Sequence, residues 1–211
     1  MSTTVAPAAP TTSATPEPVE TPWRRFVQYL VRRRVRISVV VFIALVVEDA
    51  LEPLRPHAVT DLGDLKSMLG LGLVLGGLAI RSWAAGILHK QSQLTTSGPY
   101  SLVRHPLYVG SFMMMLGFCA LIDDAENIWF VLGPFVGLYL LGILSEERTL
   151  GQRFGTRWRD YAKSVPRFLP RRLPHEMFSS WTMGQWLKNR EYRAVGAALA
   201  GLAAIQIWHT L

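Results

Sequence analysis

Cysteine is almost absent from this 211-residue chain: Cys119 stands alone, which excludes an internal disulfide, and no Cys/His spacing of the zinc-binding kind occurs. Acids are scarce beside bases, 15 against 22, giving a formal charge of +7 and a pI of about 10.0. In a soluble protein that balance would suggest nucleic acid. Here the basic residues gather beside apolar segments, which suits an anionic membrane surface, so no nucleic-acid partner is expected. Missing too is the basic start and short apolar core of a secretory signal, so the first hydrophobic segment is expected to be retained. Polar residues are few: half the chain is hydrophobic and mean hydropathy is +0.22, high for a chain with a polar first segment. Both values point to an integral membrane protein.

Residues 1–22, rich in Pro, Thr and Ala with no apolar period, are expected to form a disordered tail, leaving 23–211 as one membrane domain. Arg24, Arg25, Arg32, Arg33, Arg34 and Arg36 precede the apolar run 37–51, and the positive-inside tendency then puts the N-terminus in the cytoplasm. Glu48 and Asp49 suit the outer interface of that span or mark a polar site, with Pro53 and Pro56 ending the helix. The second apolar segment, 65–88, contains Gly70, Gly72, Gly76 and Gly77. Its letters G-L-G-L-V-L-G superficially resemble a dinucleotide loop, but no strand precedes them, and close helix packing by small residues is the reading. Arg81 in this segment either snorkels to the interface or holds a ligand carboxylate.

A third span, 107–122, leads through the acidic loop 123–127 to a fourth, 128–144, and a weaker fifth covers 194–208. Between them, Leu150, Phe154, Trp158, Tyr161 and Val165 recur at intervals of three or four, predicting an amphipathic helix over 146–165, bent at Phe154-Gly155 and stopped by Pro166 and Pro170. A second interfacial piece, 177–187, carries Trp181 and Trp186. The expectation is an all-α integral membrane protein: a bundle of about five transmembrane helices with cytosolic amphipathic helices and a disordered N-terminal tail.

Residues 95–110, T-T-S-G-P-Y-S-L-V-R-H-P-L-Y-V-G, interrupt this apolar chain with turn-forming and titratable residues. Gly98-Pro99 signals a turn, and Pro106 suits the first position of a helix. His105 then stands at a helix start, three positions from Tyr108 and near the same face, where free N–H groups favour an anion. The fourth span ends at Ser145-Glu146-Glu147-Arg148, on the same, cytoplasmic, side. A ligand with an amino-acid end, such as S-adenosylmethionine, needs a donor for its carboxylate, a carboxylate for its ammonium and aromatic or apolar walls for its adenine. Arg104, His105 and the helix start supply the first, Glu146 or Glu147 the second, and Leu94, Tyr100 and Tyr108 the third. The acids read equally as solvated helix-start residues, and the His-Pro as a cap.

The stretch L-T-T-S-G-P-Y-S-L-V-R-H-P-L-Y-V-G, followed after a hairpin by S-E-E-R-T-L-G-Q-R-F-G-T-R-W-R-D-Y-A-K-S-V-P-R-F-L-P, resembles the isoprenylcysteine carboxyl methyltransferase and phospholipid methyltransferase superfamily over residues 81–170. The resemblance implies an integral membrane methyltransferase that uses S-adenosylmethionine in a cytosol-facing pocket and takes lipophilic acceptors from the bilayer. By position, Ser92, Gln93, Leu94 and Thr95 match the family's strand-like cofactor-lining segment, Tyr100 its tyrosine, and His105, Pro106, Leu107 and Tyr108 its H-P-x-Y motif. Glu146 matches the cofactor-binding glutamate, with Glu147 beside it. Two positions depart from the eukaryotic carboxyl methyltransferases: Ser92 stands where they carry histidine, with His89 slightly earlier, and Gly142 stands where they carry the arginine that helps hold a prenylcysteine carboxylate.

Methyl transfer from a sulfonium rests on in-line positioning and exclusion of water, and needs no covalent protein intermediate. The expected acceptor is lipophilic or small: a carboxylate requires no base, whereas an amine or thiol must lose a proton, for which Glu147 and His89 are candidates. Two other readings fit the same letters. A membrane reductase of the sterol-reductase-like type would bind NADPH, with Arg148, Arg153 or Arg157 meeting its extra phosphate, and a scaffold would keep the bundle without the chemistry. If the chain is bacterial, the inner membrane is the expected location.

Overall fold

In a computed structural model, residues 56–61, 63–89, 93–123, 136–171 and 181–211 are described, with isolated positions 29, 33, 37, 40, 44, 47, 48, 128 and 133. The expected tail, the first span 37–51 as a unit, Ser92, most of loop 123–127 and the opening of the fourth span lie outside the described residues. Those residues form helices and no strand: α1 Leu65–Ala85, α2 Pro99–Leu102, α3 Pro106–Ile122, α4 Val136–Phe154, α5 Thr156–Ser164, α6 Met183–Lys188 and α7 Tyr192–Thr210.

The frame is an antiparallel pair, α1 against α3, made possible by glycine. A Cβ on Gly117 would lie 2.6 Å from the Gly70 carbonyl oxygen, and one on Gly70 would lie 3.0 Å from the Gly117 carbonyl oxygen. Two turns along, Gly77 and Gly110 face each other more closely still, so backbone meets backbone at both crossings. Val74 sits between the two glycines of α1, fully buried, and Phe118, Leu121 and Ile122 of α3 extend the core toward Ala198, Leu202 and Ile205 of α7. The glycine-rich segment is therefore a packing surface, as the sequence indicates.

Polar groups close the end of the pair away from the motif. Asp64 caps α1 by accepting from Ser67 N and Oγ, both at 2.9 Å. His57 lies between Asp64, 2.7 Å from Nδ1, and Asp123, 3.0 Å from Nε2, and Lys66 pairs with Asp123. His57 N also donates to Leu121 O at 2.8 Å, so this loop joins the start of α1 to the end of α3.

Two sequence expectations change. Of the five expected spans, α1 alone among the described residues is long and apolar enough to cross a membrane, by length and composition; α3, at 17 residues, is shorter. The fourth span also has no boundary at Ser145: α4 runs through Glu146 and Glu147 to Phe154, because Ser-Glu-Glu-Arg holds no helix breaker. The break comes at Gly155, with φ of 54°, where the bend was expected. Beyond it, α5 buries Trp158 and Tyr161 and presents Arg157, Arg159 and Lys163 elsewhere, as an amphipathic helix should.

Candidate functional site

Pro106 opens α3 and His105 is its N-cap residue, held by backbone rather than by its ring: Tyr108 N and Val109 N donate to His105 O, both at 3.1 Å. The residues before it pair with the turn after α5, Arg104 N donating to Pro166 O at 2.8 Å and His105 N to Arg167 O at 3.3 Å. Tyr161 of α5 adds a buried bond from its hydroxyl to Tyr100 O at 2.7 Å. Two stretches far apart in sequence, R-H-P-L-Y and V-P-R-F-L-P, are thereby fixed against each other.

This pairing surrounds Glu147 with cations. Its Oε1 lies 2.9 Å from Arg104 Nη1, 3.1 Å from His105 Nε2 and 3.1 Å from Arg167 Nε, and its Oε2 lies 2.7 Å from Arg167 Nη2. The side-on Arg167 fork is a strong geometry for a carboxylate. Burial pushes the Glu147 carboxyl up, but the hydrogen bonds from Arg167 and His105 and the charges of both arginines outweigh it and hold the group below its ordinary value. Arg104 also lies over the Trp158 ring, 5.9 Å from its centroid.

Glu146, next along α4, is exposed and accepts from the Tyr108 hydroxyl at 3.1 Å. The two acids are thus divided in role. Glu147 anchors the arginines, while Glu146 keeps an accessible carboxylate beside the start of α3.

Burial depresses the His105 imidazole below its ordinary value, and Arg104 adds to this, against the opposing Glu147 hydrogen bond and the charges of Glu146 and Glu147. The ring is therefore neutral at pH 7. Since a carboxylate only accepts, Nε2 carries the proton toward Glu147. A histidine whose folded value is depressed gives stability that is complete above its unfolded value of 6.5 and lost as pH falls from there through the folded value. Unfolding midpoints of the detergent-solubilised protein should accordingly fall on acidification from 6.5, and His105→Gln should flatten that first limb. Glu147, also depressed, extends the loss below its ordinary 4.5. A rise in stability on acidification would mean that an imidazolium–carboxylate pair governs instead.

Beside the charged cluster lies an apolar cavity of about 480 Å³ between α3 and α4, with Val109, Phe112 and Met113 on one side, Tyr139 and Ile143 on the other, and Phe168 at its edge. Tyr108 belongs to both regions. Its ring lines the cavity and packs edge-on against Tyr139 at 5.3 Å and His105 at 5.6 Å, while its hydroxyl bonds Glu146.

Of the residues singled out in the sequence, Arg104, His105, Pro106, Leu107, Tyr108, Glu146 and Glu147 come together. Tyr100 is buried next to them, its hydroxyl and the Arg104 Nε both buried without a hydrogen-bond partner among the described residues. Burial, then the nearby Glu146, Tyr161 and Glu191, raise the Tyr100 phenol well above its ordinary value, so it is a neutral donor. Gln93, Leu94 and Thr95 sit on the irregular segment between α1 and α2, with Gln93 exposed. The Thr95 hydroxyl oxygen accepts from His89 N at 3.2 Å, a contact toward the end of α1 rather than toward Glu147. Arg81 pairs within the protein: Glu191 occupies its guanidinium at 2.8 and 3.1 Å, where a ligand carboxylate would otherwise bind. Sequence reasoning missed Glu191 and Arg167. The available signal for Glu191 was a lone arginine inside an apolar helix, which demands an acid from elsewhere in the chain. Among the described residues, no group of three or more His, Cys, Asp or Glu side chains is placed to hold a metal ion.

Among the described residues the fold is helical, with a His-Pro helix start facing a Glu-Glu pair beside an apolar cavity, and known proteins resemble it in part. Residues 65–157 match the phospholipid methyltransferase family, and this match, together with an isoprenylcysteine O-methyltransferase relative, supports the isoprenylcysteine carboxyl methyltransferase and phospholipid methyltransferase superfamily. It is 36% identical over 118 residues to the cobalt-zinc-cadmium resistance protein CzcN of Cupriavidus metallidurans, covering 55% of this chain and 53% of that one. The nickel-cobalt-cadmium resistance protein NccN of Alcaligenes xylosoxydans is 35% identical over 106 residues, 49% of this chain and 48% of its own. The protein-S-isoprenylcysteine O-methyltransferase of Schizosaccharomyces pombe is 31% identical over 98 residues, 46% and 42% of the two chains. The chain spans about half the length of the curated relatives it matches. No solved structure matches it.

Proposed function

We propose that the protein is an integral membrane methyltransferase that uses S-adenosylmethionine to methylate a lipophilic acceptor, with its site facing the cytosol. The observation that carries this reading is the junction at Tyr108, whose ring lines an apolar cavity and whose hydroxyl bonds the exposed Glu146. The cavity, at about 480 Å³, has the size and lining of a small-molecule pocket.

The residues present fit a zwitterionic cofactor. Arg104 and Arg167 carry two positive charges against the single charge of Glu147, with His105 neutral, so the cluster retains one positive charge for a carboxylate. Glu146 offers the counter-charge for an ammonium group. The buried Tyr100 hydroxyl and Arg104 Nε are further donors in want of an acceptor. S-adenosylmethionine supplies an activated methyl group on a sulfonium. The chain's own part is to orient both reactants and exclude water, with Tyr108 as the wall between charged and apolar regions. The acceptor heteroatom is oxygen, nitrogen or sulfur on an otherwise apolar molecule.

In this reading the paired α1 and α3 lie in the bilayer with the spans over 37–51, 128–144 and 194–208, and the arginines of 24–36 keep the N-terminus cytoplasmic. The test is equilibrium binding of S-adenosylmethionine, its demethylated product and NADPH to the detergent-purified protein. Selective binding of the first two is expected, weakened by both His105→Ala and Glu146→Ala. Selective NADPH binding overturns the proposal in favour of a reductase, and binding of none by a folded protein favours a scaffold.

A further inference from the structure

Glu191 lies 34 residues beyond the end of the family match at 157, yet it is among the most buried charged groups described, at 4% exposure. It stands just before α7 and grips Arg81 of α1 side-on, Oε1 to Nε at 2.8 Å and Oε2 to Nη2 at 3.1 Å. The remaining nitrogen of the guanidinium, Nη1, crosses to α3, where it donates to the Ser111 hydroxyl and to Leu107 O at 3.4 Å. Ser111 donates to the same carbonyl at 2.9 Å. Leu107 is the third letter of H-P-L-Y. Passage of Arg81 to this point depends on Gly110, since a Cβ there would lie 2.6 Å from Arg81 Cγ.

The segment carrying Glu191 is itself docked on the end of α1. Thr182 N donates to Gly86 O at 3.0 Å, Trp181 Nε1 to Ser82 O at 2.9 Å, and Asn189 Nδ2 to Ala85 O and Leu88 O at 2.7 and 2.9 Å. Of these acceptors, Ala85 O is a carbonyl that the end of α1 leaves open, whereas Ser82 O also accepts from Gly86 N at 3.1 Å. The donors hold the chain where it leaves α1 for the irregular segment before Tyr100.

We propose that Glu191 is a positioning residue: by orienting Arg81 it fixes the first turn of α3, and with it the His105–Tyr108 edge of the candidate site. The C-terminal segment is then a working part of the site, although it lies outside the family match. As a claim about cofactor affinity this rests on the methyltransferase reading; as a claim about the first turn of α3 it does not.

Two variants and two readouts separate these. Glu191→Gln removes the charge, and Arg81→Met combined with Glu191→Leu replaces the pair by apolar groups, a change that often leaves stability intact. In both, amide hydrogen exchange at residues 108–111 of the ligand-free protein should accelerate about tenfold or more while 117–122 stay protected. S-adenosylmethionine affinity should fall at least about tenfold in the double variant even where its unfolding midpoint equals the wild type, since small misplacement of binding groups is costly. Unchanged exchange at 108–111 in both variants overturns the proposal, as does wild-type affinity in a stably folded double variant, which would make the pair merely structural. If the wild type binds no S-adenosylmethionine, the methyltransferase reading fails, while accelerated exchange confined to 108–111 still supports positioning of the helix start.

Discussion

Gly77→Leu is expected to prevent accumulation of folded protein, whereas Gly72→Ala, on the same helix, should leave stability unchanged or raise it. The contrast follows from what each side chain would meet. At Gly77 a Cβ would lie 2.4 Å from the Gly110 carbonyl oxygen and 2.9 Å from both Met114 N and Met114 Cγ, and the two backbone atoms cannot swing aside as a side chain can. Overpacking a core typically costs about 1–3 kcal/mol when neighbours can shift. Here α1 and α3 would have to separate, and separation would also open the Gly70–Gly117 crossing and the Val74, Phe118 and Leu121 core. At Gly72 a Cβ meets nothing within 4 Å, and alanine is favoured over glycine in a helix interior by about 0.5–1 kcal/mol. Expression level and thermal unfolding of the two variants in one detergent check this. Equal behaviour would mean that the helices are not in backbone contact.

The glycines also show how far the sequence could be read. Gly70, Gly72, Gly76 and Gly77 in an apolar run indicate close helix packing without naming the partner or which of the four carry it; the structure selects Gly70 and Gly77, and nothing in one sequence pairs them with Gly110 and Gly117. The His-Pro helix start and the break at Gly155 were legible because local chain stereochemistry dictates both. That His105 and Tyr108 would meet the Glu-Glu pair followed from counting apolar runs and from family resemblance. What stayed hidden was long-range and polar. The partner of Arg81 lies 110 residues away, and that of Glu147, Arg167, arrives from a turn 20 residues on. Neither distance has a periodicity that a pattern could reveal. Hydropathy ends the fourth span at Leu144, just before charged residues begin, yet α4 continues to Phe154. Charge alters which surroundings a helix tolerates, and glycine or proline is what ends it.

The same hidden contact gives the other large effect. Glu147→Gln should destabilise the folded protein by about 2–4 kcal/mol, less than the full penalty for breaking a buried ion pair because one partner is solvated. Arg104, with its side chain 12% exposed, would lose its carboxylate where water cannot replace it, while Arg167, at 46%, could turn outward. Loss of the Arg167 fork should also loosen the turn whose backbone holds Arg104 and His105. Glu146→Gln should change stability by less than about 0.5 kcal/mol, as an exposed group with a surface hydrogen bond would. Under the proposed methyltransferase reading its effect belongs to the ligand: without a carboxylate for the ammonium group, S-adenosylmethionine affinity should fall about 10- to 100-fold, the worth of one charge-assisted contact. Adjacent glutamates of identical chemistry are thus expected to separate, one governing the fold and its neighbour the affinity. Measuring unfolding and binding on both variants decides the matter. If Glu147→Gln folds as stably as the wild type, the two arginines are held by something other than this carboxylate. If Glu146→Gln binds as tightly as the wild type, the ammonium partner lies elsewhere in the site.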